Sequence, residues 1–169
     1  MRVRLDGVQK GRRGEALGAT SLSYRSGRAT LAVAETEQRP TVLGLIASGR
    51  MRPDAGTVAL DEATDRRARN ALRRRVALVD APDVSEPAPN IAVAGVVAEE
   101  LMFAGLASDP LSARRWLDEH DLRSSARLPI ADLAPAHRLR ILLELATARP
   151  GVDGLDLVAG GERGNRALR

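Results

Sequence analysis

Arg39, Pro40 and Thr41 set a cation, an imino acid and a hydroxyl side by side in this chain. They end a short polar loop, residues 34–39 ("AETEQR"), with an apolar run before it and an apolar helical pattern after it. Strand, tight loop and opening helix is the arrangement in which backbone N–H groups and a cation cradle a phosphate. Arg39 and Thr41 are the candidate phosphate contacts. The loop itself works against that chemistry. It has no glycine, so its amides cannot turn inward cheaply. Pro40 brings neither an N–H nor a hydroxyl. Glu35 and Glu37 repel an anion: two like charges about 4 Å apart at an effective dielectric near 20 cost about 4 kcal/mol, and about 1.4 kcal/mol is already tenfold in affinity. Other chemistry is sparse. There is no cysteine, and the two histidines, His120 and His137, are far apart, so a metal centre would have to rest on carboxylates. His137 reads as a solvated residue at a helix start.

The loop needs elements to hold it. "MRVRLDGVQ" alternates like a half-buried edge strand with a turn at Asp6-Gly7. A second strand closes at Ser26-Gly27. A third, residues 29–34, is continuously apolar, as a strand covered on both faces would be. Pro40 suits the first position of a helix over 41–48, with Val42, Leu45, Ile46 and Gly49 on one face. A Pro-Asp-Ala-Gly turn and a strand over 57–61 follow. Residues 62–75 read as a polar helix with a thin stripe of Ala63, Ala68, Ala71 and Leu72, and 76–80 as a buried strand. "APDVSEPAPN" is a loop or linker. Helices are expected over 91–106, 111–120 and 136–148, with Met102 and Phe103 in the core, then a last strand at "GLDLV" and a flexible C-terminal tail over 159–169.

The chain has 169 residues, 44% of them hydrophobic, enough for one domain with a core. Its apolar residues are Ala, Leu and Val with three aromatics, which favours helices packed on a sheet. No apolar run is long enough to span a bilayer, and Arg2, Arg4 and Asp6 interrupt any signal-peptide core. The absence of cysteine agrees with a cytoplasmic location. The net charge of +4 is carried almost wholly by arginine, with Lys10 the only lysine. Arg66, Arg67, Arg69, Arg73, Arg74 and Arg75 form the densest run and read as a solvated helix face with Glu62 and Asp65 as partners.

Taken in order, these segments resemble the ATP-binding cassette domain of ABC transporters, especially short actinobacterial variants. "GLIASGRMRPDAGTVALD" is similar to the family's stretch from the phosphate-loop helix to the next strand. "LRRRVALVDAPDVSEP" resembles the strand entering the glutamine loop, and "IAVAGVVAEELMFAGL" the helix that opens the helical subdomain. "LAPAHRLRILLELATARPGVDGLDLV" occupies the place of the signature motif, its helix and the Walker B strand.

The resemblance implies an α/β, P-loop NTPase-like ABC ATPase fold over 1–158, a β-sheet with flanking helices, a helical subdomain at about 85–132, and truncation before a switch histidine. It also implies ATP and magnesium as cofactors. The motifs are altered. Walker A falls on 33–40, with Val33 and Gln38 for its glycines, Arg39 for its lysine and Pro40 for its metal-binding hydroxyl. Leu133-Ala134-Pro135-Ala136-His137 stands for the signature, and Asp80 and Ala81 for the glutamine loop. Asp156 aligns with the metal-linked aspartate, but Leu157 replaces the catalytic glutamate, without which hydrolysis loses roughly two to four orders of magnitude.

The expectation is therefore a degenerate, non-catalytic or weakly ATP-binding subunit at the inner face of a membrane, partnered by a permease or a second ATPase subunit, or dimeric. Its Arg39, Thr41 and Asp156 are the remaining nucleotide contacts, and none of its residues is assigned to catalysis. Two rivals stand beside it: a working ABC ATPase completed by a partner, and a basic nucleic-acid-binding protein.

Overall fold

The computed structural model describes residues 1–33 and 38–158, with the backbone alone at 38 and 39. The expected C-terminal tail over 159–169 lies outside the described residues. The chain divides into two units, one of Met1–Val84 and the segment from Asp153 on, the other Ser85–Val152.

The first unit holds two sheets. Strands β1 (Arg2–Lys10) and β2 (Leu17–Arg25) form an antiparallel sheet with β3 (Ala55–Leu60), in the order β2-β1-β3. β1 is thus the central strand, not an edge. The inward residues show why its alternation misleads: Val3, Leu5 and Val8 are all buried, so the period of two slips by one residue after Leu5. The slip is a bulge at Gly7, whose φ is +55° and where the register with both neighbours shifts. Asp6-Gly7 is therefore a kink within a strand and not a turn. Opposite it sits Gly56 (φ +79°), where a Cβ would stand 2.3 Å from the carbonyl oxygen of Gly7. Gly56 has no room for a side chain, and Gly7 takes a φ that glycine adopts without cost.

Helix α1 (Gln38–Ala47) begins two residues before Pro40. The ring still falls in the first turn, where N–H groups lack intrahelical partners in any case. Ile46 and Ala47 join Val3, Leu5, Val8, Leu17, Leu60, Leu72 and Val76 in one core. Helix α2 (Arg66–Arg75) starts later than the polar pattern suggests. Asp65 caps it by accepting from the amide of Ala68 at 2.7 Å, and Ala63 bridges back to Leu60 instead. Glu62 and Asp65 precede the helix and so are not its i,i+4 partners.

The second sheet pairs β4 (Val76–Val79) with β5 (Gly154–Leu157) in parallel, Val76 facing Gly154 and Val79 facing Leu157. The apolar run expected as a buried third strand is different. Residues 29–33 form no strand, and Leu31 and Val33 are 89% and 88% exposed. An apolar run becomes a strand only where a neighbour takes its N–H and C=O groups. No described neighbour does so here.

The second unit is helical: α3 (Val93–Phe103), α4 (Pro110–Glu119) and α5 (Pro135–Thr147), with single 3₁₀ turns at Arg123–Ser125 and Ile130–Asp132. The expected helical stretch, about 85–132, lies within it. Asp109 caps α4 by accepting from the amides of Leu111 and Ser112. Val93, Val96, Val97, Leu101, Leu117, Ile130, Ile141 and Leu145 fill the core. Met102 and Phe103, expected there, are each 56% exposed. They fall on the helix face turned away from Val97 and Leu101, and Phe103 lies 5.4 Å under the guanidinium of Arg149.

Candidate functional site

The site that the sequence points to has two sides, the start of α1 and the end of β5. Pro40 and Thr41 stand in the first turn of α1, and Thr41 is half-buried. Residues 34–37, with Glu35 and Glu37, and the side chains of Gln38 and Arg39 lie outside the described residues.

Asp156 is on β5, opposite Leu78 of β4. The middle of α1 covers it. A Cβ at Gly44 would lie 3.4 Å from Asp156 Oδ2, 3.2 Å from Leu78 and 2.7 Å from Val158, so a bare backbone is what lets the helix approach the strand pair. Oδ2 is sealed from water and has no hydrogen-bond partner among the described residues. Burial pushes the Asp156 carboxyl up to about 6, partly offset by the nearby charge of Arg50. Arg50 in turn donates to the carbonyl of Val76 at 3.0 Å. Tyr24 shares this environment. Its phenol donates to the carbonyl of Ala47 at 2.8 Å and is pushed well up, by burial first and then by Asp156.

Neither Tyr24 nor Arg50 stands out in the sequence. Gly44 could have signalled the close approach, because a glycine in mid-helix costs about 1 kcal/mol and calls for a packing reason.

The other motif positions are scattered. Asp80 is buried just beyond β4 with φ +53°, and Ala81 beside it is fully buried. Leu133 is buried, while α5 starts at Pro135 after Ala134, which has no side-chain cap. His137 is exposed. Leu157 is 38% exposed. Asp153 is taken by Arg75, Oδ2 to Nε at 2.6 Å.

Magnesium needs near-octahedral oxygen ligands at about 2.1 Å and keeps several waters. Here one carboxylate stands alone beneath a helix backbone, and no three His, Cys, Asp or Glu converge among the described residues. Among the described residues the protein's share of a magnesium shell would be this one carboxylate, with the remaining oxygens left to a ligand and water. The bundle of groups around Asp156 can hold a charge or a proton, and among the described residues Arg50 is the charge that acts on it.

No protein-family model matches the chain, and no curated protein sequence does. Solved structures do. The chain has the mixed α/β fold of ABC transporter ATP-binding domains. The cbiO1 protein of Clostridium perfringens, part of the ABC transporter complex cbiONQ, matches with a TM-score of 0.58 and 15% identity over 92% of this chain. A dimeric bacterial ABC transporter cassette matches at 0.57 and 19% over 87% of this chain and 69% of its own. A putative ABC transporter ATP-binding protein from Pyrococcus furiosus matches at 0.62 and 10%, over 99% of this chain and 81% of its own. The chain spans 64% of the length of the cbiO1 structure. No described helix is long and apolar enough to cross a membrane.

Proposed function

We propose that this chain is a degenerate ABC transporter ATP-binding subunit, a non-catalytic or weakly ATP-binding partner of a permease or of a second ATPase subunit at the cytoplasmic face of a membrane. The observation that carries the proposal is the state of Asp156, the one carboxylate left where the fold calls for a metal-linked aspartate. It is sealed under Gly44, has no described polar partner at Oδ2, and is followed by an apolar Leu157. The exposed, unpaired run at 29–33 supports the same reading, because a phosphate loop works only when a strand in the sheet fixes its first residues. On this reading Arg39 and Thr41 are the remaining phosphate contacts, and 1–158 is one cassette-like domain whose helical part supplies the partner surface.

Isothermal titration with Mg-ATP and a steady-state phosphate-release assay test it. Weak binding and no turnover are expected. Micromolar binding with turnover that Arg39→Ala abolishes would overturn it.

A further inference from the structure

At the far end of α1 from the phosphate loop, β3 and α2 enclose an open cleft of about 380 Å³ within the first unit. Its apolar surface comes from half-buried Met51, Val58 and Ala68, packed over the fully buried Ile46 and Leu72. Three arginines line it: Arg52 from the turn after α1, and Arg66 and Arg69, three apart and so on one face of α2. Thr57 and Thr64 add hydroxyls.

Three guanidiniums in one cleft should attract acids, yet none of the three forms an ion pair with a described carboxylate. The nearest acids in sequence are committed elsewhere. Asp54 accepts from Lys10 Nζ at 2.7 Å and from the Gly11 amide at 2.9 Å. Asp65 is spent on the Ala68 amide. The carboxyl end of α1 does not need the arginines either. The Leu45 carbonyl accepts from the amides of Arg50 and Met51, both at 2.8 Å, and the Ile46 carbonyl accepts from Gly49 at 3.0 Å. Partial burial, then the charges of Arg52, Arg66 and Arg73, push the Arg69 guanidinium down from its usual range. The cleft concentrates positive charge that the described residues do not balance.

We propose that this cleft binds a small organic phosphate, its dianionic group held by the forked donors of Arg52, Arg66 and Arg69 and its carbon skeleton laid against Met51, Val58 and Ala68. A guanidinium fork matches two phosphate oxygens at once, and the volume is at the small end of ligand pockets. An apolar floor distinguishes such a ligand from a nucleic-acid backbone, which has phosphate but no apolar group to set there. The proposal does not depend on the transporter reading, since it uses none of the residues at the start of α1 or on β5.

Isothermal titration of the full chain with phenyl phosphate, inorganic phosphate, benzyl alcohol and a single-stranded oligonucleotide tests it. Phenyl phosphate should bind about tenfold or more tighter than inorganic phosphate and benzyl alcohol. Arg69→Gln, and separately Arg66→Gln, should weaken it about tenfold, with thermal stability unchanged or raised because like-charge repulsion falls. Arg12→Gln, on an exposed loop, should leave it unchanged. The proposal fails if phenyl phosphate binds no tighter than inorganic phosphate, if Arg12→Gln matches the cleft variants, or if the oligonucleotide binds more tightly than phenyl phosphate.

Discussion

Asp153 and Asp156 are three residues apart, one just before β5 and the other within it, yet they meet opposite environments. Asp153 faces water and is engaged from every side. Its carboxylate takes Arg75 Nε at 2.6 Å, its amide donates to the Arg75 carbonyl at 2.8 Å, and its own carbonyl accepts from Ser26 Oγ at 3.1 Å. Asp156 is half-buried, and its Oδ2 has lost its water and gained no described partner. The entry to β5 is anchored by charge, and the strand itself bears a charge at a cost. A desolvated carboxylate with a raised pKa often marks chemistry. On the reading proposed above, the groups that would use it are replaced, and what remains is the cost.

The sharpest way to break the contrast is Asp156→Asn. A carboxyl raised from 3.8 to about 6 keeps its proton in the folded chain over a window in which the unfolded chain has released it. Stability therefore falls as pH rises from about 4 to about 6, and stays reduced above that. Two units correspond to roughly 3 kcal/mol. Urea unfolding should show the variant more stable than the parent by roughly 2–3 kcal/mol at pH 7.5 and about equal to it near pH 4.

Next in size is Gly44→Ala. The added methyl would meet Val158 and Leu78 at 2.7 and 3.2 Å. Overpacking of this kind costs about 1–3 kcal/mol, against about 1 kcal/mol gained in helix preference. Thermal unfolding should show a net loss, and adding Val158→Ala should recover part of it. The smallest effect belongs to Arg75→Gln, which removes the pairs with Asp153 and Asp61 from a side chain one-third exposed. Such pairs contribute at most about 1 kcal/mol, and the loss should shrink as salt is raised.

Much of this architecture is legible in the sequence. Helical periodicity located α3, α4 and α5 to within a few residues, because each carries a wide apolar stripe that must be buried. The unbroken "VALV" of β4 and the serial order of segments pointed to the α/β fold. The errors share a cause. Whether 29–33 pairs, whether β1 is central, and whether Met102 and Phe103 are covered all depend on what lies beside them, and local pattern carries no record of a neighbour. The candidate site was readable as residue types only. That Asp156 would be sealed under a glycine, near Arg50 and Tyr24, follows from the approach of α1 to the strand pair. The caps behaved otherwise: Asp65 and Asp109 act on amides two or three residues away, so their environment is their own sequence.

The parallel pairing of β4 and β5 constrains how the helical stretch between them could be cut out. Parallel neighbours run the same way, so the chain leaving Val79 must return the full length of the strand before it can enter Gly154. A tight hairpin cannot make that journey, whereas a crossover of about a dozen residues can. A minimal version of the first unit, with 85–152 replaced by a flexible span of that length, would keep its two-strand ladder, and one closed by a two-residue turn would not.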